Sequence, residues 1–200
     1  MVSGMASNGL LDRRMVVTRL LKDRGEAAVV AGLGSPTWDL AAAGDHDRNF
    51  YMWGGMGSAV TIGLGLALAQ PSLPVLVITG DGEMLMGMGS LATAGAKAPA
   101  NLSVVVCDNE RFGETGMQKS HTAHGLDLPA VAAASGFAWT ETVRDEAALE
   151  ALCGRIYAKS GCGFATVKIA PVDLPRVMPE KDGAVIKDRF RRAIVGAEAG

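Results

Sequence analysis

The stretch Val77–Gly113, VITGDGEMLMGMGSLATAGAKAPANLSVVVCDNERFG, contains two apolar runs that each finish on a polar residue. Val75–Thr79 leads into Gly80-Asp81-Gly82, and Leu102–Cys107 leads into Asp108-Asn109. Short apolar runs without alternation read as strands covered on both faces, the pattern of a parallel sheet. Leu85–Lys97, between them, reads as the connecting helix. Such units build a doubly wound α/β fold, and its ligands bind beyond the carboxyl ends of the strands. Asp81 and Asn109 both stand just past such ends.

The alternation continues outward. Helices are expected at Leu10–Arg24, where Gly25 is a natural stop, at Thr37–Ala43, and at Gly57–Gln70, closed by Pro71. Further helices follow at Pro129–Ser135 and at Asp145–Ser160, with Asp145 as N-cap. Ala27–Ala31, Phe137–Val143 and Phe164–Ile169 read as strands. Asn109–Leu126 is polar, contains Gly and has no period; its length points to function rather than a plain crossover. The sequence predicts one parallel doubly wound domain over 1–170. A proline-rich linker and an amphipathic helix (Ala184–Val195) occupy 171–200 and pack on the domain or on a partner.

Composition narrows the function. With 48% hydrophobic and 20% charged residues, 200 residues suffice for one well-buried domain. A net charge of -2 without a basic stripe argues against nucleic acid or an anionic membrane as partner. Three cysteines without CxxC spacing fit a reducing compartment, not a disulfide scaffold or a zinc site. No window approaches about 18 uninterrupted apolar residues, and the N-terminal segment lacks a signal peptide's apolar core. A cytoplasmic protein is expected.

The familiar nucleotide motifs are absent: the sequence has no GxGxxG, no GxxxxGK[ST] and no HExxH. What remains is Gly80-Asp81-Gly82, 26 residues, then Asn109. Glycines at 80 and 82 let the backbone approach a ligand closely, and the amides of Gly82 and Glu83 lie near a helix N-terminus, which favours an anion. One carboxylate, one amide oxygen and a loop carbonyl suit Mg²⁺ completed by phosphate oxygens better than they suit Ca²⁺. The residues point to a metal-bridged diphosphate.

At these residues the chain resembles the diphosphate-binding domain of thiamine diphosphate enzymes, whose signature is GDG followed about 25 to 30 residues later by Asn. Asn49–Ala69 (NFYMWGGMGSAVTIGLGLALA), Gly80–Gly95, Val106–Gln118 and the tail PEKDGAVIKDRFRRAI are similar to the family of the sulfopyruvate decarboxylase β subunit and phosphonopyruvate decarboxylase. The resemblance implies thiamine diphosphate and Mg²⁺ as cofactors, with the metal held by Asp81, Asn109 and the backbone carbonyl of Arg111. It gives the diphosphate to the Gly82 and Glu83 amides and the Gly34-Ser35-Pro36 loop. The Gly54 carbonyl would accept from the aminopyrimidine, and Met56 would wedge the cofactor into its bent shape. Glu83 departs from the Ser or Gly of many relatives, and its carboxylate must turn away from the diphosphate.

His121 and His124 stand in the loop after the metal residues, where a substrate carboxylate or a proton relay could use them; His121 is the stronger candidate. Arg111 and Lys119 could meet an anionic substrate. Met84, Met86 and Met88 read as packing at a subunit interface. No segment resembles the pyrimidine-binding domain whose glutamate activates the cofactor, so the resemblance implies a partner α subunit and a hetero-oligomer such as α2β2 or larger. The implied activity is decarboxylation of a 2-oxo acid. Carboligation of the acetolactate synthase kind and a non-catalytic cofactor-binding subunit are the alternatives.

Overall fold

A computed structural model describes residues 9–196. The ends of the chain, including most of the segment searched for a signal peptide, lie outside them. Eight strands and eight α-helices follow in chain order, with two short 3-10 turns. They are α1 (Arg13–Leu21), β1 (Ala28–Ala31), α2 (Ser35–Ala42), β2 (Asn49–Tyr51), α3 (Ala59–Ala69), β3 (Val75–Gly80), α4 (Asp81–Met86) and α5 (Gly89–Lys97). Then come β4 (Leu102–Asp108), β5 (Arg111–Phe112), β6 (Gln118–Lys119), α6 (Leu128–Ala134), β7 (Trp139–Val143), α7 (Glu146–Ile156), β8 (Gly163–Lys168) and α8 (Gly183–Val195).

Six parallel strands form one sheet in the order β2-β1-β3-β4-β8-β7. Because side chains alternate along a strand, the continuous runs feed two cores. Leu76, Ile78, Val105 and Cys107 pack with Val16, Leu20, Leu40 and Leu152 on the face covered by α1, α2 and α7. Val75, Val77, Val104 and Val106 pack with Val60, Leu64, Leu91 and Ala132 on the face covered by α3, α5 and α6. This is the expected doubly wound parallel sheet. The chain leaves β1 toward β2 on one side and returns to β3 on the other, so the topological switch point lies between β1 and β3. Ile186 of α8 is buried in the first core, and Phe190 meets Phe50 edge-on at 5.4 Å.

Several expectations change. The helix expected at Leu85–Lys97 is two helices, α4 beginning on Asp81 itself and α5 at Gly89. The break falls where the Gly55–Gly57 loop presses in: a Cβ on Gly87 would stand 2.1 Å from the Gly57 carbonyl oxygen. The first helix begins at Arg13 rather than Leu10, because Leu11 bridges Ile169 and the Asp12 side chain caps Met15 N. β2 is an added strand, its three residues too few to show a period. The 109–126 loop is ordered into the β5–β6 hairpin and two 3-10 turns, with Glu110 and Met117 at φ 61° and 63°. Met84 is core, 1% exposed, not interface; Met86 is 68% exposed.

Gly87→Ala is expected to cost about 1–3 kcal/mol through overpacking against Gly57, measured by urea unfolding. A loss within about 0.5 kcal/mol, the range of an ordinary surface substitution, would show that the α4–α5 break does not depend on this contact.

Candidate active site

A cavity of about 400 Å³ opens at the switch point and is lined from both sides of it. Leu33–Pro36 after β1 and Gly80–Glu83 after β3 face Asn109 and Arg111–Thr115, with Trp53 and Met56 from the loop before α3. Of the residues singled out from the sequence, Gly34, Ser35, Met56, Gly80, Asp81, Gly82, Glu83, Asn109 and Arg111 all line it. Gly54 lies between Trp53 and Met56 but is not itself part of the lining, and His121 stands behind Phe112, edge-on to that ring at 6.2 Å. A separate groove of about 480 Å³ between α8 and Asp47 holds none of these residues.

Glu83 is nine-tenths buried, and its carboxylate turns inward. It accepts from the Thr79 hydroxyl at 2.9 Å, from Leu33 N at 3.0 Å and from Gly57 N at 3.3 Å. One side chain on α4 thus ties together the ends of β1 and β3 and the loop that carries Met56. Burial raises its pKa against these hydrogen bonds. Its neighbour must be glycine, since a Cβ on Gly32 would lie 1.8 Å from the Glu83 carboxylate. The carboxylate is thus held inward among these three donors, while Glu83 remains part of the cavity lining.

Asp81 is 2% exposed, and no cation pairs with it among the described residues. The Ser120 hydroxyl donates to Asp81 Oδ2 at 2.5 Å and lies 2.9 Å from the Thr122 hydroxyl, which donates to Asp108 Oδ1 at 2.8 Å. Burial, with the nearby Asp108 carboxylate, pushes Asp81 up to about 6. The second acid is matched: Lys168 Nζ lies 2.6 Å from Asp108 Oδ2 and 2.8 Å from Glu110 Oε1. Among the described residues Asp81 and Glu83 are the buried carboxylates without a cation; Glu83 is satisfied by three neutral donors, whereas Asp81 lines the cavity beside a second acid. Asn109 Oδ1 accepts from Arg111 N at 2.9 Å, turning the chain into β5. Ser120 N bonds Glu110 O, so Arg111–Lys119 falls on a non-hydrogen-bonded pair of the hairpin, which does not use the Arg111 carbonyl. No cluster of three or more His, Cys, Asp or Glu exists among the described residues. One carboxylate with neutral oxygens is therefore the donor set available, and it fits a hard, hydrated cation such as Mg²⁺.

Close approach defines the anion side. A Cβ on Gly82 would meet the Phe112 ring at 2.8 Å, and Gly34 takes φ 71° at the start of α2. Arg13, from α1, reaches the same wall and donates to Ser35 Oγ at 2.6 Å. Along the wall runs the 172–181 segment. Arg176 stacks over Trp38 at 4.4 Å, Trp53 Nε1 donates to Glu180 O at 2.8 Å, and Arg14 donates to Pro175 O at 2.6 Å. Sequence reasoning missed Arg13, Ser120, Thr122 and Lys168, because each comes from an element whose local pattern signals only helix, loop or strand.

The chain is similar to known proteins over most of its length. Residues 37–169 match the family model described as thiamine pyrophosphate enzyme, C-terminal TPP binding domain. The chain is 40% identical over 180 residues to phosphonopyruvate decarboxylase of Streptomyces viridochromogenes, covering 88% of this chain and 44% of that protein. It is 37% identical over 188 residues to sulfopyruvate decarboxylase subunit beta of Methanothermobacter thermautotrophicus, covering 94% of this chain and 98% of that subunit. The chain thus spans less than half of the first relative and nearly all of the second. A solved structure of benzoylformate decarboxylase from Polynucleobacter necessarius shares the fold, with a TM-score of 0.70 over 88% of this chain and 36% of that one at 19% identity.

Glu83→Ala leaves three donors without their acceptor and is expected to cost at least about 2 kcal/mol, read by urea unfolding of the cofactor-free chain. Parental stability in this variant would show that the three segments hold together without the carboxylate.

Proposed function

Because the chain belongs to the family of the C-terminal TPP-binding domain of thiamine pyrophosphate enzymes, we propose that it is the cofactor-anchoring β subunit of a two-subunit, thiamine diphosphate- and Mg²⁺-dependent 2-oxo acid decarboxylase. The observation that carries this reading is Asp81, a buried and unpaired carboxylate facing Asn109 in the switch-point cavity. Relatives named as sulfopyruvate and phosphonopyruvate decarboxylases favour decarboxylation over carboligation or a non-catalytic role. Their names also support a 2-oxo acid with a second, sulfonate or phosphonate, anionic end as the substrate class.

Thiamine diphosphate, when bound, supplies the acidic carbon that adds to the ketone and takes up the electrons released with CO₂. This chain's residues fix where that happens. Asp81, Asn109 Oδ1 and the Arg111 carbonyl would hold the metal, and the Ser120 hydroxyl fixes the Asp81 carboxylate by donating to its Oδ2. The amides of Gly82 and Glu83 and the Gly34-Ser35 turn receive the diphosphate, with Gly80 leaving room for close approach. Met56, in the cavity lining, would support the bent shape of the cofactor, and the Gly54 carbonyl would accept from its aminopyrimidine. His121, edge-on to the cavity-lining Phe112, is the candidate for proton exchange near the substrate.

The partner α subunit supplies the glutamate that activates the ring, and the complete site forms in a hetero-oligomer such as α2β2. Half-exposed Trp53 and Met56 at the cavity and exposed Met86 beside it offer that subunit an apolar rim. Among the described residues no helix is long and apolar enough to cross a membrane, and the three cysteines are unpaired, which supports the cytoplasm as its location.

Calorimetry of the full chain with thiamine diphosphate and Mg²⁺ tests the reading. Binding is expected to require the metal and to weaken by more than about tenfold in Asp81→Ala, since losing even a hydrogen-bond partner of a metal ligand costs about that much at other sites. Asp81→Asn removes the unpaired charge and keeps the shape, so the cofactor-free variant is expected to be at least as stable as the parent. Turnover by this chain alone at high dilution would overturn the shared-site reading.

A further inference from the structure

Arg13 lies on α1, outside every segment the family's motif covers, yet it is part of the cavity wall. It is 5% exposed. Its Nε lies 3.1 Å from Asp39 Oδ2, and its Nη1 donates to Ser35 Oγ at 2.6 Å. Arg14 pairs with the other oxygen of the same acid, Nε to Asp39 Oδ1 at 3.2 Å. Two guanidinium groups therefore share one buried carboxylate, and one positive charge is left over. Two nitrogens of Arg13, Nε and Nη2, are buried without a hydrogen-bond acceptor, and Nε keeps the ion-pair contact with Asp39. An unpaired guanidinium nitrogen in a protein interior is costly unless a ligand completes it.

The surroundings specify the ligand's charge. Ser35 is the first residue of the eight-residue helix α2, whose free amides favour an anion. Beside it a carboxylate already rests: Glu114 Oε1, from the β5–β6 hairpin, lies 3.2 Å from where a Cβ on Gly34 would stand. Arg176 approaches Glu114 at 3.6 Å from the 172–181 segment. Glu114 is half exposed and sits on a hairpin tip, so it can yield this position to an incoming anion.

We propose that Arg13, from outside the family's motif, joins the Gly34-Ser35 turn already assigned to the diphosphate and that its Nη2 binds the terminal phosphoryl group there. The proposal rests on the cofactor reading above. Arg13 is then a binding residue that doubles as the partner of Asp39, and α1 is locked in register by the ligand as well as by its core contacts. A fork-shaped guanidinium suits two phosphoryl oxygens in a way an ammonium does not.

The test uses the full chain with Mg²⁺ and three probes: thiamine diphosphate, thiamine monophosphate and thiamine. The variants are Arg13→Lys, Ser35→Ala and the charge-balanced double variant Arg13→Met/Asp39→Asn, which leaves no buried acid unpaired should Arg13→Met alone fail to fold. Arg13→Lys and the double variant are expected to lose roughly 10- to 100-fold in affinity for thiamine diphosphate. They should lose less for the monophosphate and nothing for thiamine, erasing the parent's discrimination between the phosphorylated forms. Unchanged discrimination, or equal weakening of all three probes, would overturn the proposal and make Arg13 a structural residue. Parental chain that binds none of the probes would overturn the cofactor reading itself. In the complex with the partner subunit, unchanged cofactor affinity with a raised KM for a sulfonated or phosphonated 2-oxo acid would assign Arg13 to the substrate instead.

Discussion

The Glu83 carboxylate is the contact on which the arrangement of the site depends. It sits where four pieces of chain meet, and it accepts from Leu33, Gly57 and Thr79 in an interior nearly closed to solvent. A hydrogen bond of this kind adds little to stability when made and costs much when its partner is removed, because the abandoned donors are buried. The glycines around it follow from the same demand for space. Gly32 has no room for a side chain beside the carboxylate, and Gly87 has none beside Gly57. The break between α4 and α5 and the position of Met56 are consequences of this packing.

Around that fixed point the cavity concentrates charge that the fold alone would not keep. Asp108 has Lys168, and Asp39 has two arginines, but Asp81 has hydroxyl and backbone partners without a cation, and Arg13 has nitrogens to spare. A buried carboxylate whose pKa is raised to about 6 by burial destabilises the cofactor-free chain as pH rises through that value. An acid without a cation and an arginine with nitrogens to spare, both lining one cavity, complement a cation–anion pair delivered together, as a metal diphosphate is. Stability is given up locally for binding, and the two hydrophobic cores on either side of the sheet make that tolerable.

The strands and the strand-end residues were legible because their signals are local. Continuous apolar runs at Val75–Thr79 and Leu102–Cys107 can be satisfied only by a sheet covered on both faces, and Asp145 announces its helix by capping Ala148. β2 was not legible, since three residues carry no period. The α4–α5 break was hidden as well, because Gly87 stops the helix through a contact with a residue thirty positions earlier. The β5–β6 hairpin escaped notice because Glu110 and Met117 adopt positive φ without being glycine. Met84 was misread as interface because methionine looks alike in a core and on a surface.

By itself the sequence determined the parallel α/β layering and the placement of Asp81 and Asn109 at strand ends, both of which follow from short-range periodicity and from the direction in which a chain leaves a strand. Only the tertiary structure decided which charges stay unpaired, what Glu83 holds, and that Arg13 joins the cavity from a helix some seventy residues before the metal-side motif. Those outcomes depend on distances between segments remote in sequence, and no local pattern encodes them.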